Sequence, residues 1–142
     1  MKGKQIYSDG FLRLISPFMA IKGITLFPFI ISQKKYNGPH ITQSQKDRHK
    51  NHESIHIAQQ LELVPYSLAF NFLIFTLFGW NYLWLFVTIV PVLNSSLFFI
   101  LYLIEFIFKG YRGISFEREA YENDDNLDYL KNRKYFNFTK YF

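Results

Sequence analysis

His52-Glu53-Ser54-Ile55-His56 places three reactive side chains at a spacing that a helix converts into a site. On a helix His52 and His56 lie one turn apart on one face, where two imidazole nitrogens can share a metal ion. Glu53, about 100° round from His52, stands at the edge of that face, where a carboxylate can take a proton from a metal-bound water without ligating. The chemistry on offer is hydrolysis by a metal-activated water, with two ligands and a base in one short segment.

A catalytic zinc site normally uses three protein ligands and leaves a position for water, so a third donor has to come from elsewhere. Glu62, six residues beyond His56, would lie about 9 Å along a continuing helix and about 240° around it, facing away. The segment Ile114-Ser115-Phe116-Glu117-Arg118-Glu119-Ala120-Tyr121-Glu122 reads as a second helix able to bring a carboxylate to the metal. His, His and Glu is an established zinc ligand set. The remaining acids Asp124, Asp125 and Asp128, with Glu122, read as an ordinary charged helix face.

Ser44 or Asp47 is the expected cap of the motif helix, which should run to Leu63 or beyond. His52, His56, Gln59 and Leu63 share a stripe on it, so Gln59 can orient the site. His49 reads as a spare, solvated histidine. Upstream, Gly23 to Ile31 reads as a short edge strand or hairpin, in which Pro28 confines its strand to a sheet edge, where an extended peptide could add by main-chain hydrogen bonds. A membrane-interface segment explains the same aromatics equally well.

The elements around these residues have an unusual composition. Of 142 residues, 49% are hydrophobic and 20% aromatic, and between Val64 and Phe108 the only charged residue is Glu105. That run is long enough for two membrane crossings joined by a turn at Gly79-Trp80-Asn81 or near Pro91–Ser96. Nine Lys or Arg precede Val64 and seven follow Phe108. An even number of crossings puts both basic flanks, both termini and the motif on the cytoplasmic side of an inner membrane. The expected architecture is a mainly α membrane protein of one domain, residues 1–142. It comprises an N-terminal segment with edge strand and motif helix (1–63), an apolar hairpin (64–108) and a C-terminal ligand helix (109–142). The dispersed basic residues fit contact with anionic lipid and argue against nucleic-acid binding. No cleavable leader is expected. Zero cysteines exclude disulfides and thiolate ligands.

The two segments together resemble gluzincins, in particular integral membrane metallopeptidases that complete HExxH with a glutamate in an ExxA segment on a later helix. Glu117-Arg118-Glu119-Ala120 matches that segment, and the HExxHxxQ and FExEAY stretches are similar to those of small bacterial membrane proteins of this kind. The resemblance implies Zn2+ held by His52, His56 and Glu117, with Glu119 as the alternative ligand and Glu53 as the general base. A peptide or a membrane protein would be the substrate. Tyr121 stands where larger families place an aspartate that steadies the site; it is a candidate oxyanion donor. The competing expectation is a non-catalytic membrane subunit of a larger complex, with a structural or vacant metal site. A di-iron lipid hydroxylase is a weaker rival, because four histidines are too few.

Overall fold

Thr42 and Gln45 begin the helix that carries the motif. Thr42 Oγ1 accepts the Gln45 N–H at 3.3 Å while Gln45 Oε1 accepts the Thr42 N–H at 2.9 Å, a reciprocal cap for groups that a helix start leaves unpaired. The cap therefore lies before the expected Ser44 or Asp47; Asp47 instead accepts from the Gln43 amide. The computed structural model describes residues 4–10, 12, 23–78 and 96–142. In it this helix, α1, runs Gln43–Phe78 over 36 residues, carrying the motif and the first part of the apolar run on one rod. Then come α2 (Ser96–Lys109), a 3-10 turn (Tyr111–Gly113), α3 (Ser115–Asn123), a short α4 (Tyr129–Asn132) and a 3-10 turn (Asn137–Tyr141).

Among the described residues, no helix is long and apolar enough to cross a membrane. This corrects the reading of residues 64–108 as a membrane hairpin, and with it the integral-membrane fold class, the transmembrane helices and the multi-pass inner-membrane placement. Val64 to Phe78 supplies about 22 Å of helix, and the 14 residues of α2 supply about 21 Å, against roughly 30 Å of hydrocarbon. Both expected turns lie outside the described residues except Ser96, which opens α2. Phe72, Leu77, Leu103, Ile107 and Phe108 are exposed.

Two polar residues of the apolar run, Glu105 and Tyr102, have partners in α3. Glu105 Oε2 accepts the Ser115 N–H at 2.5 Å and its Oε1 accepts the Ser115 hydroxyl at 2.7 Å. Lys109 neutralises the same carboxylate at 3.5 Å. The start of α3 has no side-chain cap of its own, so a carboxylate from α2 does that work and complements the helix dipole.

Of the expected edge strand or hairpin, the segment from Gly23 forms a hairpin. Strands β1 (Lys4–Tyr7), β2 (Gly23–Leu26) and β3 (Phe29–Ser32) form a sheet in the order β1-β3-β2, with β1 parallel and β2 antiparallel to β3. Phe27 and Pro28 make the β2–β3 turn, where the missing proline N–H costs no ladder bond. Alternation puts Gly23, Thr25, Ile30 and Ser32 in paired positions on one face, of which Thr25, Ile30 and Ser32 are buried. The outer edge of β2 is already engaged by α1: Gln60 Nε2 donates to the Thr25 carbonyl at 2.7 Å and Gln60 Oε1 accepts the Phe27 N–H at 3.0 Å. That stretch of edge is therefore paired within the chain, where peptide addition was expected.

The core lies between α1, α2, α3 and the last 3-10 turn. It contains Leu63, Phe98, Ile114, Phe116 and Phe138. Phe116 sits at 4.7 Å from the Phe98 ring and 4.5 Å from the Phe138 ring. Burying each such side chain stabilises the fold by about 1.5–3 kcal/mol, and it fixes α3 against the motif helix one residue from Glu117.

Candidate metal centre

α1 presents His52 and His56 to α3, and Glu117 in the first turn of α3 meets them. The His52 and His56 Nε2 atoms are 3.3 Å apart. Glu117 Oε2 is 3.5 Å from His52 Nε2, and its Oε1 is 3.5 Å from His56 Nε2. Zinc bonds of about 2.0–2.2 Å in a tetrahedron require donors about 3.3–3.6 Å apart. Each residue offers one ligand atom within 4.8 Å of the others, a donor set that can hold a single ion, and all three residues are buried.

The histidines are oriented from behind. Gln59, wholly buried, donates its Nε2 to the Phe116 carbonyl at 3.1 Å and to Glu119 Oε2 at 2.9 Å. Both partners are acceptors, so the amide orientation is fixed and Oε1 faces His56 Nδ1 at 2.7 Å. Nδ1 must then carry the proton, which leaves the Nε2 lone pair for a metal. Glu119 is itself held by Arg133 Nε at 2.7 Å, by the Tyr129 hydroxyl at 2.7 Å and by Asn137. Arg133 also pairs with Glu62. Glu119 therefore lies behind Gln59 rather than with the three donors, and Glu62 faces away from them.

On the other histidine, Asp124 Oδ2 lies 3.7 Å from His52 Nδ1, and its Oδ1 pairs with Arg48 at 2.9 Å. Asn51 Nδ2 clamps the end of α3 through the carbonyls of Asn123, Asp124 and Asn126 at 3.0–3.2 Å. Asp124 supplies the carboxylate that Tyr121 cannot, three residues later. It stands seven residues after Glu117, two helical turns along the same stripe, and that spacing was the available signal. Reading the acids after Glu122 as a solvated face missed it.

Without a cation, a proton on His52 balances the Glu117 carboxylate, and a metal ion would have to displace it. Burial opposes charge on His52, but hydrogen bonding to Asp124 and Glu117 outweighs it and lifts the imidazolium to about 9. Burial likewise pushes Glu117 up, yet the His56 charge and the hydrogen bonds from both histidines hold it well below the usual carboxylate range. Glu117 is thus a carboxylate at neutral pH. Tyr102 from α2 donates to its Oε1 at 2.9 Å and Tyr111 to its Oε2 at 3.0 Å. Burial and the Glu117 charge raise both phenols, which keeps them donors. Tyr121 packs its ring on His52 at 4.6 Å, and its hydroxyl lies 3.2 Å from that of Tyr111. The Tyr111 hydrogen goes to Glu117, so Tyr121 must be the donor in that pair; its only hydrogen is committed and not aimed at an oxyanion.

Glu53 faces the sheet. Thr25 Oγ1 donates to its Oε2 at 2.7 Å. A Cβ on Gly23 would lie 2.7 Å from its Oε1, so β2 can approach the carboxylate only because residue 23 has no side chain. Sequence reasoning did not find Thr25, Gly23, Tyr102, Tyr111 or Arg133. No motif marks them, and for all but Tyr111 the partner lies 14 or more residues away. No protein-family model, curated protein or solved structure matches this chain.

Proposed function

We propose that the chain is a zinc-dependent hydrolase of peptide bonds, of the gluzincin kind, with His52, His56 and Glu117 as ligands and Glu53 as general base. The observation that carries this reading is the buried cluster in which His52 Nε2 and His56 Nε2 lie 3.3 Å apart and each lies 3.5 Å from one Glu117 oxygen, with Glu53 next in sequence to His52. Zinc held there supplies an activated water and polarises the scissile carbonyl. Glu53 takes the water's proton on a carboxylate whose Oε2 is fixed by Thr25 and returns it to the departing amine. Asp124 and Gln59 hold the two imidazoles in place, and Tyr102 and Tyr111 hold Glu117. No side chain forms an acyl intermediate.

The test is a mixture of quenched fluorescent peptides incubated with zinc-loaded wild type and with Glu53→Gln. Cleavage by the wild type, and its loss in the variant with one zinc per chain retained, is the expected result. A zinc-loaded wild type that cleaves nothing, or a variant that cleaves equally well, contradicts the reading.

A further inference from the structure

His49 lies three residues before the first ligand and plays no part in the metal triangle. It is not solvated: its side chain is 9% exposed, and the Tyr36 ring stacks on it at 4.2 Å with 14° between the planes. Its Nε2 lies 2.8 Å from Ser32 Oγ, and Ser32 Oγ in turn accepts from Gln5 Nε2 at 3.3 Å. Its Nδ1 faces Glu53 Oε1 across 3.9 Å, one helical turn along α1. Resting on the assignment of Glu53 as the base, we propose that His49 is a positioning residue for that carboxylate, pre-oriented by Ser32 on β3 to present Nδ1–H to Glu53 Oε1.

The proton inventory supports this. A carboxylate repels a bare ring nitrogen, so the nitrogen facing Glu53 is the protonated one, and a neutral imidazole then has Nε2 as acceptor. Ser32 can satisfy that acceptor with its one hydroxyl hydrogen while its oxygen accepts from Gln5. The resulting chain runs Gln5 to Ser32 to His49 to Glu53, and Thr25 donates to the opposite carboxylate oxygen. All three strands thereby contribute to one carboxylate. At 3.9 Å the last link is longer than a hydrogen bond. Such contacts at general bases commonly close only when substrate is bound, and a shift of about 1 Å suffices here. The role is orientation: His49 holds the carboxylate toward the water, and no proton passes through the imidazole.

The experiment uses the full chain loaded with zinc, in wild type, His49→Phe and Ser32→Ala. Phenylalanine keeps the stack on Tyr36 and removes both nitrogens. Long-range proton–nitrogen correlation on histidine-labelled protein at mildly alkaline pH reads the tautomer of residue 49. The Nδ1–H form is expected in wild type, with a shift toward the Nε2–H form in Ser32→Ala. In peptide cleavage, His49→Phe should lower kcat by about 10- to 100-fold with KM and zinc content unchanged. An Nε2–H tautomer in the wild type overturns the proposal, as does an unaltered kcat in His49→Phe. A wild type that binds zinc and cleaves no peptide refutes the hydrolase reading separately, and the tautomer then decides the claim about His49 alone.

Discussion

The two sides of α1 support its motif with different chemistry. Toward α3 and the C-terminus, His52 and His56 are braced by charges: Asp124 with Arg48, and Glu119 with Arg133 and Glu62. Toward the sheet, Glu53 is held by the Thr25 hydroxyl and by the space at Gly23, with the Ser32–His49 pair beside it. On the proposed assignment of ligands and base, the difference follows from what each side has to hold. A ligand must stay in place as a metal arrives and a proton leaves, and paired buried charges resist movement. A base must gain and lose a proton each turnover, and neutral donors can follow it without leaving a buried charge unpaired. Damage to the charged side should therefore appear in stability and metal affinity, and damage to the sheet side in turnover.

The largest effect expected is on the charged side. Arg133→Met strands the carboxylates of Glu119 and Glu62, which are 0% and 5% exposed, and should cost about 3–5 kcal/mol in urea unfolding. A loss below about 1 kcal/mol would show that the network is not a brace. Next, Asp124→Asn should weaken zinc binding about 10- to 100-fold in a competition titration, the usual result of removing a carboxylate behind a ligating histidine. Turnover at saturating zinc should change less. On the sheet side, Gly23→Ala should lower kcat about tenfold through displacement of Glu53, with zinc affinity unchanged; a joint loss of both would dissolve the distinction between the two sides.

The smallest effect is a slope with pH. His52 rises from 6.5 unfolded to about 9 folded, so its contribution to the zinc-free protein is fully present below 6.5 and is lost as the pH rises through 9. Zinc takes the place of that proton, so the zinc-loaded protein should lack the alkaline loss. The two forms should differ by a few degrees or more in the trend of Tm across that window. Glu119 works in the opposite direction: it is held low, burial notwithstanding, by the hydrogen bonds from Arg133, Gln59 and Tyr129. Its contribution is present above its unfolded value and falls away on acidification through the folded one.

The residues that could be read from sequence were those whose partners are close along one helix. His52, Glu53 and His56 share a turn of α1, and Glu62 could be excluded by its angle alone. Asp124 was legible in principle by its spacing from Glu117 but was taken for a solvated acid. The membrane reading failed because absence of charge says nothing about what a helix packs on. Glu105, the one charge in the apolar run, and Tyr102 anchor the start of α3 and its glutamate. Pro28 marked a turn between strands rather than an edge position within one. Ser32 and His49 are 17 residues apart, and only the β2–β3 hairpin brings that serine to the motif helix.

Elemental analysis of purified wild type, Glu53→Gln, His56→Ala and Glu117→Ala, all prepared with added zinc, tests the metal centre most directly. One zinc per chain in the wild type and Glu53→Gln, and none in the other two, is the expected result. A wild type without zinc, or zinc retained in both ligand variants, would contradict it.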